Sequence, residues 1–200
     1  MAGGIGSRFW PMSSSQMPKQ FLDILGKGRT LIQMTVDRFV DICSLDNIWI
    51  VTSADFLDIV QKQLPDIPRE NILLEPCRRN TAPCIAYVSW VIKSINPNAN
   101  IVVSPSDHVI TNVPVFQNAI RECLQFTSSS DAIVTLGIKP DRPETGYGYI
   151  DADLSCSTVI NKNVFRVDSF KEKPSFDVAQ EYITQPNYFW NSGLFIWNVS

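Results

Sequence analysis

The chain has 200 residues, of which 44% are hydrophobic and 18% are charged, and its formal net charge is -3. A chain of this length and composition can bury a substantial core, which excludes an intrinsically disordered protein. The slight acidic excess argues against a nucleic-acid-binding protein, because such proteins carry a basic face.

Short β-type runs alternate with amphipathic segments from residue 31 to residue 136. The predicted strands cover residues 48–52, 72–75, 101–104 and 132–136, and the predicted helices cover residues 31–42, 54–64, 82–92 and 115–126. Thr30, Ser53 and Thr81 can cap three of these helices. This order predicts an α/β fold with a mostly parallel, mixed sheet flanked by helices.

The pattern changes after Gly137, where Pro140 and Pro143 frame a loop. Extended segments are predicted at residues 147–151, 158–160, 164–171 and 194–197, and a helix at residues 176–184. We interpret this half as a substrate-side lobe of one catalytic domain, residues 1–200. A glycine-rich loop begins at Gly3 with almost no strand before it, and the chain stops inside an apolar strand. We therefore expect the natural protein to extend beyond both ends.

The cysteines give an expectation about location. There are five, and no pair has CxxC spacing, which favours a reduced, cytoplasmic protein. No apolar run is long enough for a membrane span, and no signal peptide is visible, so no membrane partner is expected.

A glycine-rich cluster that ends in Arg8, and a segment that contains Lys19, both precede the first predicted strand. Gly3, Gly4 and Gly6 let the backbone turn sharply and aim amides at phosphate oxygens. Arg8 adds a cation with forked donors, and Lys19 can reach an anion. The alternatives are a flexible N-terminal tail for the glycines and a solvated surface lysine for Lys19.

Polar residues also follow the predicted strands, at the edge where open α/β sheets bind ligands. Glu75 and Asn80 can bond a base or a ribose, and the alternative for Thr81 is a helix cap. Asp107 occupies a place typical of a metal ligand beside phosphates, because Mg²⁺ takes one or two carboxylates with phosphate oxygens and water. Its alternative is a turn cap. His108, the only histidine, is interpreted as structural.

The second half contains three further candidates. Gly146 can bring the backbone close to a sugar, Glu172 and Lys173 place a carboxylate and a cation together at a strand end, and Asn191 places an amide in an aromatic setting before a strand. Their alternatives are a tight turn, a surface ion pair and a packed turn. Such clusters at the strand ends of one sheet indicate a shared site.

Six stretches run in order from residue 2 to residue 197: AGGIGSRFWPMSSSQMPKQFL, EPCRRNTAPCIA, SPSDH, TGYGYI, FKEKP and FWNSGLFIW. Together they resemble the sugar nucleotidyltransferase family, and RNTAP, PSDH and WNSG point to its mannose-1-phosphate guanylyltransferase (GDP-mannose pyrophosphorylase) branch. The resemblance implies a Rossmann-like nucleotidyltransferase domain with Mg²⁺ as its cofactor. It also implies transfer of GMP from GTP to mannose 1-phosphate, giving GDP-mannose and pyrophosphate.

The resemblance assigns roles to individual residues. The expected catalytic groups are Arg8, Lys19 and Asp107, with Asp107 also the metal ligand. The expected nucleotide-binding residues are Gly3, Gly4, Gly6, Glu75, Asn80 and Thr81. The expected substrate-binding residues are Gly146, Glu172, Lys173 and Asn191. The family's second metal-binding aspartate is expected beyond Ser200, and Ser14 stands where the family often has arginine.

Two other functions stay open. One is another sugar-1-phosphate nucleotidyltransferase, making a dTDP- or UDP-sugar. The other is a non-catalytic homologue that binds GDP-mannose and regulates a partner. Assembly into a homo-oligomer is also left open.

Overall fold

The computed structural model describes residues 1–2, 10–77, 80–157 and 163–200. Within these ranges the helices are α1 (Leu31–Asp37), α2 (Leu57–Gln63), α3 (Thr81–Ile95), α4 (Val113–Thr127) and α5 (Phe176–Thr184). The strands are β1 (Ile50–Thr52), β2 (Ile72–Leu74), β3 (Asn100–Val103), β4 (Val134–Ile138), β5 (Gly148–Ser157), β6 (Phe165–Glu172) and β7 (Tyr188–Asn198). The chain divides into two compact units, Met1–Arg121 with Val199–Ser200, and Glu122–Asn198.

In the first unit, β1 pairs in parallel with β2. The Ala2 N–H donates to the Val51 carbonyl at 2.8 Å, and the Met1 nitrogen donates to the Ser104 carbonyl at 3.0 Å. Residues 1–2 therefore link β1 to the residue that follows β3.

The core of the first unit forms where the apolar face of α1 and the apolar face of α2 pack against the strands. Ile32 and Val36 of α1, Val60 of α2, and Leu64 just after α2 are buried in one cluster with Ile50. Both helix pairs are four residues apart, the spacing that places side chains on one face of a helix. Two helices with short apolar faces are thus held in place by packing on the sheet.

The second unit is built from antiparallel pairings. Strand β5 pairs with β6 and β7, and β4 pairs with β7. Ala179 of α5 packs against Tyr149, Tyr188 and Trp190. Tyr182 of the same helix stacks on Tyr188, with ring centroids 4.1 Å apart. An aromatic core therefore lies between α5 and one face of these strands.

The predicted α/β class and mixed sheet are confirmed, and α5 has its predicted bounds. Helix α1 is shorter than predicted, because the backbone after Asp37 forms tight turns: the Phe39 N–H donates to the Val36 carbonyl at 2.9 Å, and the Ile42 N–H donates to the Phe39 carbonyl at 2.8 Å. Strand β4 begins two residues later than predicted. The Ala132 N–H is bonded to Ser130 Oγ at 3.2 Å and so forms part of a turn.

Two further details correct the sequence-based expectations. Asn80, rather than Thr81, occupies the N-cap of α3, and Thr81 is its first residue. Asn191 lies inside β7 rather than before a strand. The extended segment expected at residues 158–160 lies outside the described residues. The interpretation of residues 1–200 as one domain stays a prediction.

Among the helices that the structure describes, none has the length and apolar character needed to cross a membrane.

Candidate functional site

The predicted glycine-rich loop lies outside the described residues, and so do its four candidate residues, Gly3, Gly4, Gly6 and Arg8. The residue just before it is well held. Ala2 is buried, and its carbonyl accepts hydrogen bonds from Gln20 Nε2 at 3.1 Å and Thr52 Oγ1 at 3.2 Å. Because Gln20 follows Lys19 in sequence, these bonds tie the start of the loop to the segment that carries Lys19.

Lys19 and Asp107 meet, although they are far apart in sequence. Lys19 Nζ lies 2.6 Å from Asp107 Oδ2, and the two side chains are 30% and 27% exposed. Lys19 begins a short 3₁₀ turn anchored by the buried Phe21. The structure therefore brings two of the three predicted catalytic residues into one accessible ion pair. Their roles stay predictions.

The loop that carries Asp107 is tied down on both sides. Ser104 accepts the hydrogen bond from Met1, and the side chain of Ser106 is buried. The His108 carbonyl accepts a hydrogen bond from Arg38 Nη1 at 2.8 Å. Asp107 is thus an accessible carboxylate on an otherwise anchored loop, as a binding group needs to be.

Glu75 directly follows β2. Its N–H donates to the Thr52 carbonyl at 2.8 Å, which extends the pairing of β1 and β2 by one bond. Burial lowers the pKa of the Met1 amino group, and Cys84, Asp107 and Glu75 act in the opposite direction. Both carboxylates therefore lie close enough to Met1 to stabilise its positive charge.

Cys84 in α3 is not a nucleophile candidate. Burial, followed by the charge of Glu75, raises the pKa of its thiol to about 11. Because the thiolate is the reactive form, this cysteine stays inert at neutral pH.

The backbone is unusual at two predicted site residues. In the described part of the chain, the non-glycine residues with positive φ are Asn80 at 67° and Lys173 at 41°. Such conformations cost about 1–3 kcal/mol each and cluster at functional sites. Asn80 precedes α3, whose first turn contains no acidic residue, and a helix N-terminus favours negatively charged groups.

The described residues of the first unit could hold Mg²⁺ only if a substrate supplied further ligands. The described residues contain no group of three or more His, Cys, Asp or Glu side chains that could hold a metal ion. One accessible carboxylate, such as Asp107, is nevertheless sufficient when phosphate oxygens and water complete the coordination shell. The residues present are compatible with a metal that arrives with a nucleotide.

In the second unit, Glu172 and Asn191 converge on Gly148. A Cβ atom at Gly148 would lie 3.2 Å from Glu172 Oε2 and 3.7 Å from Asn191 Cβ. Sequence reasoning selected Gly146 instead, whose N–H donates to Glu144 Oε1 at 3.0 Å in a local turn. The second glycine of TGYG was the available signal for Gly148. The absence of a side chain there leaves room for the two polar groups.

Lys173 follows Glu172 in the chain and forms an ion pair with it. Its Nζ lies 2.7 Å from Glu172 Oε1, and both side chains are exposed. Successive side chains of a strand point to opposite faces. Lys173 lies just after β6 and has a positive φ, so this alternation does not extend to its side chain.

The amide of Asn191 has a defined orientation. Its Oδ1 accepts a hydrogen bond from the Gly193 N–H at 2.9 Å, and Gly193 has a φ of 70°. Only the amide oxygen can accept this bond. The Asn191 NH₂ group is then a donor without a partner in the described part of the chain.

Trp190 holds the loop before β5 in place. The guanidinium of Arg142 lies 5.0 Å from the centroid of the Trp190 ring, and Tyr147 contacts the same ring edge-on at 5.4 Å. Arg142 also pairs with Glu144 at 3.4 Å. The loop that contains Gly146 is thereby attached to β7, close to Asn191 in sequence.

Comparison with known proteins identifies the family. The family model described as nucleotidyl transferase matches residues 1–200. The chain is 40% identical over 207 residues to Mannose-1-phosphate guanylyltransferase 2 of Escherichia coli O157:H7. It is 38% identical over 203 residues to Mannose-1-phosphate guanylyltransferase of Escherichia coli strain K12.

These alignments cover 100% of this chain but 42% of each relative, so the chain spans less than half the length of the relatives it matches. A crystal structure of mannose-1-phosphate geranyltransferase from Thermus thermophilus aligns with a TM-score of 0.86 at 31% identity. It covers 100% of this chain and 56% of that protein. On the match of its whole length to the family model, the chain belongs to the nucleotidyl transferase family.

Proposed function

We propose that the full-length protein transfers GMP from GTP to mannose 1-phosphate, forming GDP-mannose and pyrophosphate. The observation that carries the proposal is the accessible pair of Lys19 and Asp107, 2.6 Å apart, at the end of β3. Relatives named mannose-1-phosphate guanylyltransferase support this choice of substrates. We further propose that the reaction takes place in the cytoplasm, as the cysteine pattern predicts.

The nucleotide triphosphate is assigned to the first unit. In this proposal Asp107 holds Mg²⁺, which supplies neutralisation of phosphate charge when it is bound. Lys19 exchanges its carboxylate partner for a phosphate oxygen, and Arg8 with the glycine-rich loop binds the rest of the triphosphate. Glu75, and the N-terminus of α3 with Asn80 and Thr81, are assigned to the nucleoside.

Mannose 1-phosphate is assigned to the second unit. The free NH₂ group of Asn191 donates to a sugar or phosphate oxygen, and Glu172 accepts from sugar hydroxyls. Lys173 binds the phosphate, and the backbone at Gly146 approaches the sugar. Separate hydrogen-bonding directions of this kind distinguish a substrate from analogues that lack one hydroxyl.

The chemistry requires little from the protein beyond positioning. A phosphate monoester has its second pKa near 6 and is largely dianionic at neutral pH. Its oxygen can attack the α-phosphorus of GTP without a general base, and the bond from that phosphorus to pyrophosphate breaks. Alignment and charge stabilisation then supply most of the rate.

A nucleotide panel tests the proposal. The full-length protein is mixed with Mg²⁺, mannose 1-phosphate and GTP, dTTP or UTP, and pyrophosphate release is measured. GTP is expected to give the fastest release. Faster release with dTTP or UTP would identify another sugar nucleotidyltransferase. Thermal stabilisation by GDP-mannose without pyrophosphate release would identify a non-catalytic binding protein.

A further inference from the structure

Arg38 is a buried cation at the end of α1. Arg38 is only 3% exposed. Arginine is almost never fully buried unless it is paired. Burial lowers the pKa of its guanidinium to about 10, so the group stays charged at neutral pH. Burying a charge is costly unless the charged group is hydrogen-bonded, so the groups that bond to the Arg38 guanidinium matter.

The guanidinium donates two hydrogen bonds in different directions. Nη1 bonds to the His108 carbonyl at 2.8 Å, and Nη2 bonds to Thr35 Oγ1 at 2.8 Å. The rigid, planar fork of arginine fixes the directions of both bonds, whereas the ammonium of a lysine on its flexible stem would not.

The packing around Arg38 holds the group in place. Its guanidinium carbon lies 5.8 Å from the centroid of the Phe116 ring in α4. The Arg38 carbonyl accepts a hydrogen bond from Gln117 Nε2 at 3.0 Å. Both its backbone and its side chain are therefore anchored, so the bond to His108 links a rigid part of the unit to the loop after β3.

We propose that Arg38 is a positioning residue that acts through the His108 carbonyl to hold the neighbouring Asp107 carboxylate where a metal–triphosphate complex binds. This inference rests on the proposed function, because it takes Asp107 as the metal ligand. Residues that orient a metal ligand from behind commonly change metal affinity by about 10–100-fold when they are replaced.

Manganese binding gives a readout that does not depend on turnover. Mn²⁺ affinity is measured by electron paramagnetic resonance on the full-length protein with GTP and without mannose 1-phosphate. Arg38→Met is expected to weaken Mn²⁺ binding by about 10-fold or more. Arg38→Lys, which keeps one donor for the carbonyl, should fall between Arg38→Met and the parent.

A double-mutant cycle separates positioning from general stability. If Arg38 acts through Asp107, adding Arg38→Met to Asp107→Asn should cause no further loss of Mn²⁺ affinity. The KM for mannose 1-phosphate should stay within about two-fold of the parent in Arg38→Met, since uniform damage to the fold would raise it too.

Arg69→Met is the matched control, because Arg69 also donates to a backbone carbonyl, that of Ile72 at 3.1 Å. It should leave Mn²⁺ affinity unchanged. Should Arg38→Met not fold, Thr35→Val removes the acceptor of Nη2 and should weaken Mn²⁺ binding in the same direction by a smaller factor.

Three results would overturn one or the other inference. If Asp107→Asn binds Mn²⁺ as tightly as the parent, the proposed function fails at its metal ligand. If Asp107→Asn weakens binding but the folded Arg38 and Thr35 variants do not, the role of Arg38 fails and the proposed function stands. Additive losses in the double variant would also exclude action through Asp107.

Discussion

Replacing Lys19 by methionine separates catalysis from folding. Lys19 and Asp107 are 30% and 27% exposed, and ion pairs that solvent reaches in this way contribute about 0.2–1 kcal/mol. A loss of this size lowers the unfolding temperature by only about 2–4 °C in a protein of 150–250 residues. The free energy of unfolding should therefore change little.

The effect on turnover should be much larger. Removing one preorganised group that stabilises developing charge commonly costs about 10²–10³ in kcat. Pyrophosphate release by full-length Lys19→Met, with GTP, Mg²⁺ and mannose 1-phosphate saturating, should fall by about 10²-fold or more. Turnover and unfolding temperature should be measured on the same samples, so that the large loss of turnover can be compared with the small change in stability.

Arg29→Met provides the control. Arg29 forms an ion pair with Asp37 in the same unit, and these side chains are 46% and 48% exposed. Its loss should affect stability about as much as the loss of Lys19, and should leave turnover near that of the parent. Near-normal turnover in Lys19→Met, or an equal loss in Arg29→Met, would refute the assignment of Lys19 to the phosphates.

Three further predictions concern other residues. Asn191→Asp replaces the free NH₂ donor with a negative charge, so the KM for mannose 1-phosphate should rise by about 10-fold or more. The KM for GTP should stay unchanged, and equal changes in both constants would contradict this prediction. At the φ of 41° of Lys173, glycine relieves backbone strain that alanine keeps. Lys173→Gly should therefore unfold at a temperature no lower than Lys173→Ala, and a more stable alanine variant would count against the strained backbone. Burial lowers the pKa of His108 from 6.5, so the unfolded chain takes up the proton first. The stability of the parent relative to His108→Gln should thus fall as the pH drops through about 6.5, and thermal unfolding that shows a constant difference from about pH 8 to pH 5 would exclude this linkage.

Local patterns predicted the first unit well. Short apolar runs became β1, β2 and β3, since short apolar strands flanked by helices have few other ways to bury their side chains. Asp107 was expected at the edge of the sheet because polar groups that follow strands gather there. Its proximity to Lys19 was anticipated by the family resemblance, which assigns both residues to the phosphates, and by no local pattern.

Other features depended on contacts between distant residues. Asn191, Ser192 and Gly193 are typical of a turn, but Trp190 before them and Phe195 after them both pair with β4, so these residues form an irregularity within β7. Arg38 follows Asp37 at a helix end, a setting typical of a surface residue. Its burial comes from contacts with His108 and Gln117, far along the chain, which no local pattern reveals.

A crystal structure of the full-length protein with GTP and Mn²⁺, using the anomalous signal of the metal, would examine the triphosphate site itself. The proposal predicts a metal bonded to the Asp107 carboxylate and a triphosphate oxygen within hydrogen-bond distance of Lys19 Nζ. A triphosphate bound elsewhere, with neither Lys19 nor Asp107 in contact with it or its metal, would contradict the proposed site.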